Sequence, residues 1–414
     1  MKVTRAQSII ITNNPELDRL CHLTKNLYNY ANYCIRRRFI KSVRFISAYS
    51  LIKIFTRTNQ HDYRALPAQT AQQVLILLER NWKSFFKATK DYKKNPDKYL
   101  GRPGLPRYKK KSGRSVAVFT NQQCKIKDGY IQFPKMVGFT VKTTVDNFKQ
   151  VRVIPQAQSY KVEIVYEKEV KQRETNKSRI MGIDLGVTNI MTIANNIGLP
   201  PIIIKDNGQS IKSINQFYSK EKAKLQSIYD LQKVKSGKKM LILKDKHKRK
   251  EADCAHKMSR FVIDYAIQND IGKIIIGYNP EWKQKVNLGR KTNQLFSQIP
   301  YATLIHQVSY KGEEASIEVA LQEESHTSKC SFLDNEPIKH HEVYAGKRIS
   351  RGLFRSKQRI IINADVQAGY NIIKKSEPKA FTQVNVDGVG GCGLHPLSVF
   401  GTDKQDLLKY AKVA

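Results

Sequence analysis

Two acids stand where a folded chain could put them to chemical use. Ile180, Met181 and Ile183 read as a buried strand that delivers Asp184 to its carboxyl end, where Gly186 lets the chain turn and Asn189 opens a second apolar run. Far along the chain, Ile360, Ile361 and Ile362 lead into Asn363, and Asp365 falls in the first turn of a helix. Val366, Tyr370 and Ile373 of that helix face inward, with Gly369 on the same face permitting close packing. Each acid alone has an ordinary explanation. Aspartate near a turn glycine is common turn chemistry, and a first-turn acid complements the helix dipole for only ~0.3 to 1 kcal/mol. With a third carboxylate they would make a set able to bind two Mg²⁺ ions ~3.5 to 4 Å apart, one activating water and one stabilising the leaving oxygen of a phosphodiester.

The elements between the two acids must bring them together. The hairpin around Asp184 precedes a third strand at 201–205, and two long basic helices follow at about 211–235 and 238–269. Met240, Ile242, Met258, Phe261, Val262, Tyr265 and Ala266 mark the buried side of the second helix. His256 lies on it without a ligand-type residue at i+4, which reads as a structural contact. A fourth strand at 273–277, a helix at about 293–310 and a fifth strand at 315–321 complete an order that suits an RNase H-like mixed sheet. In such a sheet the first, fourth and fifth strands are neighbours, so carboxylates at their carboxyl ends converge.

The amino-terminal half has a different rhythm. A β-branched strand at 7–12 ends at Asn14-Pro15, and a helix follows with Leu17, Leu20, Leu23, Leu27, Ala31 and Cys34 at helical spacing. Arg36, Arg37 and Arg38 end its polar face, while Tyr28, Tyr30 and Tyr33 suit either helix packing or base stacking. A second helix from Pro67 carries Ala71, Val74, Leu75, Leu78, Trp82, Phe85 and Phe86 on one face, and the two should pair. Between Lys87 and Arg114, eleven basic residues face two acids among three prolines and three glycines. Lys93, Lys94, Arg102, Arg107, Lys109, Lys110 and Lys111 lie on this irregular connector, which could follow a phosphate backbone or remain a solvated linker. Alternating runs at 115–120, 125–133, 139–142, 151–154 and 160–167 predict a small β-barrel, into which residues 14–112 would be a helical insertion.

Composition narrows the class. The 414 residues, 40% of them hydrophobic, have room for several cores. No apolar run approaches the ~18 residues of a membrane span, and the start lacks a signal-peptide core, so the expectation is a soluble, cytoplasmic protein with no membrane partner. The six cysteines form no CxxC pair, which fits reduced thiols. Seventy-three Lys and Arg against 35 Asp and Glu give a net charge of +38, which calls for a polyanionic partner, nucleic acid above all.

Taken together, Gly182-Ile-Asp-Leu-Gly-Val-Thr-Asn189, Thr327-Ser328 and Asn363-Ala-Asp-Val366 resemble the split RuvC nuclease of the TnpB family, transposon-encoded RNA-guided DNA endonucleases related to type V CRISPR effectors. The likeness extends to Leu66-Pro-Ala-Gln-Thr-Ala-Gln-Gln-Val74, Asn81-Trp-Lys-Ser-Phe-Phe86 and Asn95-Pro-Asp-Lys-Tyr-Leu-Gly-Arg-Pro103. It implies a multidomain α/β protein in which a wedge-type β-barrel with a helical recognition insertion precedes an RNase H-like RuvC domain carrying helical and basic-loop insertions. It also implies Mg²⁺, a guide RNA derived from the transposon end and target double-stranded DNA, hence a prokaryotic protein associated with the nucleoid when bound.

The chain departs from the family pattern twice. Where common members carry the second catalytic glutamate, it has Ile276-Gly277-Tyr278. Glu281 is nearest in sequence, but it follows Asn279-Pro280 into a loop. The end of the fifth strand offers Glu323 and Glu324 one strand away, ~5 Å, and alternation puts them on opposite faces. Glu324 is the choice and Glu323 the alternative. In place of a zinc ribbon the segment 323–362 holds Cys330 with Asp334, His340 and His341, a poor zinc set because adjacent histidines point apart, and a basic stretch from Tyr344 to Lys357. The expected domains are therefore 1–13 with 113–167 as the barrel, 14–112 as the insertion, 168–178 as a linker, 179–375 as the nuclease and 376–414 as an irregular tail. The expected activity is RNA-guided cleavage of complementary DNA beside a short adjacent motif by Asp184, Glu324 and Asp365 through two Mg²⁺ ions, with the nucleic acids in a positive channel. The alternative is an RNA-guided DNA-binding protein that has lost cleavage.

Overall fold

Asn14, two residues past the first strand, caps the first helix, its Oδ1 accepting the Leu17 amide at 2.7 Å while Pro15 takes the first helical position. The computed structural model describes residues 2–42, 44–170, 172–205, 211–279, 289–381, 393 and 395–400. The chain divides into two compact units, Met1–Glu169 and Val170–Ala414. The first runs β1 (Lys2–Thr12), α1 (Pro15–Ser42), α2 (Ala48–Arg57), α3 (His61–Arg64), α4 (Ala68–Lys94), β2 (Ala117–Thr120), β3 (Lys125–Lys127), β4 (Tyr130–Gln132), β5 (Thr140–Lys142), β6 (Gln150–Pro155) and β7 (Ser159–Glu169). Leu17, Leu20, Leu27 and Ala31 are buried, as their spacing requires, and buried Trp82 of α4 donates its indole N–H to Asn32 Oδ1 at 3.0 Å, which pairs the long helices. The sequence reading contains neither α2 nor α3. Leu51 and Phe55 bury one face of α2, too short a stripe to stand out by periodicity.

The expected barrel does not close. Strands pair as two sheets, β1-β7-β6-β2 and β3-β4-β5, and among the described residues no ladder joins them into a ring. Asp128 and Gly129, with φ of 52° and 74°, turn β3 straight back on β4, so these three-residue strands pair among themselves. The sheets share a core in which the Phe119 and Phe133 rings meet edge to face at 4.9 Å. β1 pairs with β7 along its whole length, so all four helices lie, in sequence, between strands of one sheet.

The second unit runs β8 (Ile180–Asp184), β9 (Asn189–Asn195), β10 (Ile202–Lys205), α5 (Ile211–Leu231), α6 (Lys238–Gln268), β11 (Lys273–Gly277), α7 (Arg290–Gln298), α8 (Tyr301–Glu314), β12 (Glu318–Gln322), β13 (Lys347–Ser350), β14 (Leu353–Arg355), β15 (Ile361–Asn363), α9 (Ala364–Ser376) and β16 (Leu397–Phe400). Its main sheet has the order β12-β11-β8-β9-β10-β16. β8, β11 and β12 are parallel neighbours and β8 is antiparallel to β9, so the first, fourth and fifth strands end together. α9 packs so closely across β8 that a Cβ on Gly182 would come within 2.5 Å of the Gly369 carbonyl oxygen. That contact, between two residues without side chains, fixes where the first turn of α9 falls.

Three expectations change here. The single helix at 293–310 is two, because Pro300 lacks an amide hydrogen and holds Ile299 extended at ψ 126°. The fifth strand starts at Glu318, since Ala315 caps α8. The tail is not wholly irregular: β16 adds to the sheet edge parallel to β10. Glu281, Cys392 and the stretch 382–392 lie outside the described residues. Among the described residues no helix is long and apolar enough to cross a membrane.

Candidate active site

Asp184 closes β8 opposite Thr192 of β9, and the turn beyond it is held by Tyr301, whose hydroxyl donates to the Gly186 carbonyl at 2.8 Å. Burial raises the Asp184 carboxyl well above the usual range; the charges of Glu324 and Asp365 raise it further, and Arg348 opposes them. Glu324 and Asp365 therefore both act on the surroundings of Asp184.

Glu324 follows β12. Gly277, at the end of β11, sits beside Gln322, and a Cβ placed on it would come within 2.8 Å of Glu324 Oε2 and 2.6 Å of Ile372 Cδ1. The glutamate's carboxylate thus fills the space above the glycine. Glu324 Oε1 accepts from Asn279 Nδ2 at 3.3 Å, while Oε2 is buried and has no hydrogen-bond partner among the described residues. Burial first, then neighbouring Glu323, pushes this carboxyl up to about 7 against the pull of Lys375.

Glu323 has the opposite surroundings. It is exposed, accepts from Lys375 Nζ at 2.7 Å and from the Ser325 amide at 2.9 Å, and is lowered to about 2, mainly by the Lys375 bond. Strand alternation continues past β12 and turns the two glutamates apart.

Asp365 lies in the first turn of α9, which Asn363 caps by accepting the Asp365 and Val366 amides at 3.0 and 3.2 Å. Its Oδ2 accepts from Asn189 Nδ2 at 2.6 Å, and its Oδ1 lies 3.6 Å from Arg348 Nη2. Among the described residues no three His, Cys, Asp or Glu side chains are grouped closely enough to hold a metal ion. Asn189 and Arg348 engage the two Asp365 oxygens. The donor chemistry nevertheless suits a hard cation: oxygen ligands only, one of them the orphaned, buried Oε2 of Glu324.

Sequence reasoning placed Asn189 and Arg348 in the right motifs without giving them this role. The signal was the basic stretch itself, which forms a β13–β14 hairpin and also brings Arg351 Nη2 within 3.2 Å of Thr188 Oγ1. The residues weighed as zinc ligands have other partners. Cys330 Sγ donates to the Lys339 carbonyl, Asp334 accepts from Ser331 Oγ at 2.6 Å, His341 meets the Pro337 carbonyl at 2.8 Å, and His340 packs edge-on against His326.

The ten basic candidates of the first unit sort into two groups. Arg36 stacks over the Tyr108 ring at 4.9 Å and Lys109 over Tyr28 at the same distance. Asn29 exchanges two hydrogen bonds with the Lys109 backbone, and Asn32 donates to the Pro106 carbonyl, so the connector is laced to α1. Arg37, Arg38, Lys93, Lys94, Arg102, Arg107, Lys110 and Lys111 stay exposed.

Fold and site define a mixed α/β chain of two units, with Asp184 and Glu324 at the ends of two of three parallel neighbouring strands and Asp365 in the first turn of the helix packed across β8. Residues 163–283 match the OrfB_IS605 family, described as "Probable transposase", and the resemblance to TnpB proteins is borne out by that match. No curated protein matches. The fold is similar to that of the protein in a Cas12f1–sgRNA–target DNA complex solved by cryo-EM, with TM-score 0.52 and 15% identity over 87% of this chain and 82% of that one. The mini-RNA-guided endonuclease CRISPR-Cas phi3 aligns with TM-score 0.48 and 10% identity over 91% of this chain and 92% of that one.

Proposed function

We propose that this protein is an RNA-guided DNA endonuclease whose RuvC-type site consists of Asp184, Glu324 and Asp365. The observation that carries the reading is the Glu324 carboxylate lodged over Gly277, between β11 and β12, with one oxygen buried and unpartnered. A carboxylate missing from one strand end is supplied from the next. Two bound Mg²⁺ ions would activate water and neutralise the leaving oxygen of a phosphodiester. The chain's own part is to hold three half-buried carboxylates at one rim, with Asn189 orienting Asp365 and Arg348 balancing its charge until the ions take that role. The TnpB likeness and the Cas12f1-like fold support a guide RNA and a target DNA as partners, with sequence read by base pairing and the duplex held by shape and charge.

The test is plasmid cleavage with Mg²⁺ alongside target binding, for wild type, Asp184→Asn, Glu324→Gln and Glu323→Gln, each loaded with its guide. The expected result is cleavage lost in the first two variants and kept in Glu323→Gln, with binding unchanged in all. The engaged state of Asp365 favours a second reading, guided binding without cutting, and full target binding by an uncutting wild type would establish it.

A further inference from the structure

Glu324 does not reach its place by its own length alone, because the segment after β11 is shaped around it. The Tyr278 amide donates to the Gln322 carbonyl at 2.9 Å, one step beyond the last paired residues of β11 and β12, and this keeps Asn279 opposite Glu324. Asn279 then grips the glutamate at both ends. Its Oδ1 accepts the Glu324 amide at 3.2 Å and its Nδ2 donates to Glu324 Oε1 at 3.3 Å. A carboxamide offers an acceptor and a donor as two separate atoms on one short stem. Beneath it, Gly277 contributes the absence of a side chain: any Cβ there would stand 2.8 Å from Oε2.

We infer that Gly277 and Asn279 form a seat for Glu324, with Asn279 acting as a positioning residue that occupies Oε1 and leaves Oε2 as the oxygen offered to a cation. This rests on the proposed role of Glu324. The seat explains why position 277 lacks a carboxylate. An acid at 277 and Glu324 in its present pose would fill the same volume, so the site accommodates one of them. It also gives a reason for the unpartnered oxygen, since the available donor is spent on its twin.

The test is calorimetric Mg²⁺ titration of the full chain, together with guided cleavage at limiting Mg²⁺. It uses wild type, Asn279→Ala, Glu324→Gln and the double variant. Asn279→Ala should weaken Mg²⁺ binding by about tenfold or more, as loss of a partner that orients a metal ligand does. It should lower kcat while leaving KM for target unchanged, and it should cost nothing further in the Glu324→Gln background. Unchanged affinity in Asn279→Ala, or an equal loss with and without Glu324, overturns the seat. A wild type that binds Mg²⁺ through Glu324 and Asn279 yet never cuts supports the seat and removes the nuclease reading. Cleavage that is insensitive to Asn279 does the reverse.

Discussion

Two adjacent glutamates show how far surroundings outrank residue type. Glu323, exposed and bonded to Lys375, is held down at about 2, while Glu324, half-buried one peptide further on, is pushed up to about 7. The raised value has a consequence for stability. Between roughly the ordinary glutamate range and pH 7 the folded chain keeps a proton on Glu324 that the unfolded chain has released. Stability therefore falls as pH rises through that window, and the cost is complete above it. Without metal, Glu324→Gln should raise the melting temperature at pH 8 and leave it unchanged at pH 5. Saturating Mg²⁺ should reverse the order at pH 8, because the wild-type carboxylate then gains a partner that the amide cannot bind as well. A differential scanning experiment at the two pH values, with and without Mg²⁺, reads this directly. An equal melting temperature for variant and wild type at pH 8 in chelator would contradict the burial argument.

At the scale of elements, one contact joins a helix of the second unit to its sheet and another joins two helices on the sheet's other face. Gly182 of β8 meets the Gly369 carbonyl of α9, and a Cβ would also press within 2.6 Å of Ile373 Cγ1. Gly182→Ala should destabilise the chain by about 3 kcal/mol or more, as overpacking against backbone does, visible as a lower urea midpoint. On the opposite face, buried Lys311 of α8 donates to the His256 carbonyl at 2.9 Å and to Ser259 Oγ at 2.6 Å of α6. Burial lowers its pKa to about 8. The folded chain thus releases this proton before the unfolded chain does, and stability rises with pH from about 8 towards ~10.4, the ordinary lysine value. Lys311→Met should flatten that rise, and melting curves at pH 7 and 9.5 would measure it. Much of this layer was legible in the sequence. The apolar runs at 180–183 and 273–277 and the glycine on the inner face of α9 dictate a sheet with a helix across it, and alternation alone separated Glu323 from Glu324. Barrel closure was not legible, since pairing between distant strands leaves no local periodicity. Nor were the roles of Asn189, Asn279 and Arg348, which exist only once residues scores of positions apart are brought together.

At the scale of the whole molecule, a charge of +38 spread over 414 residues makes association with polyanions strongly salt-dependent. The cations do not contribute alike. Lys109 lies over Tyr28 with its pKa lowered by burial, and Arg36 lies over Tyr108 while reaching the Pro106 carbonyl at 3.4 Å, so both fasten the connector to α1. The side chains of Arg37, Arg38, Lys110 and Lys111 are exposed, and Lys111 meets α1 through its carbonyl alone, which accepts from Lys25 Nζ at 2.8 Å. Replacing one exposed member with Gln should weaken RNA binding across all sequences and reduce the slope of log affinity against log salt by about one where that side chain meets a phosphate, with the melting temperature unchanged. Lys109→Gln should instead lower the melting temperature and leave the slope near its wild-type value. Fluorescence anisotropy over a salt series, paired with a melt of each variant, separates the groups. If Lys109 and Lys110 variants behaved alike in both measurements, the division between cations that build the connector and cations that meet nucleic acid would be wrong. The basic stretch would then be a uniform charged surface, and the lacing of residues 106–111 to α1 would have no bearing on binding.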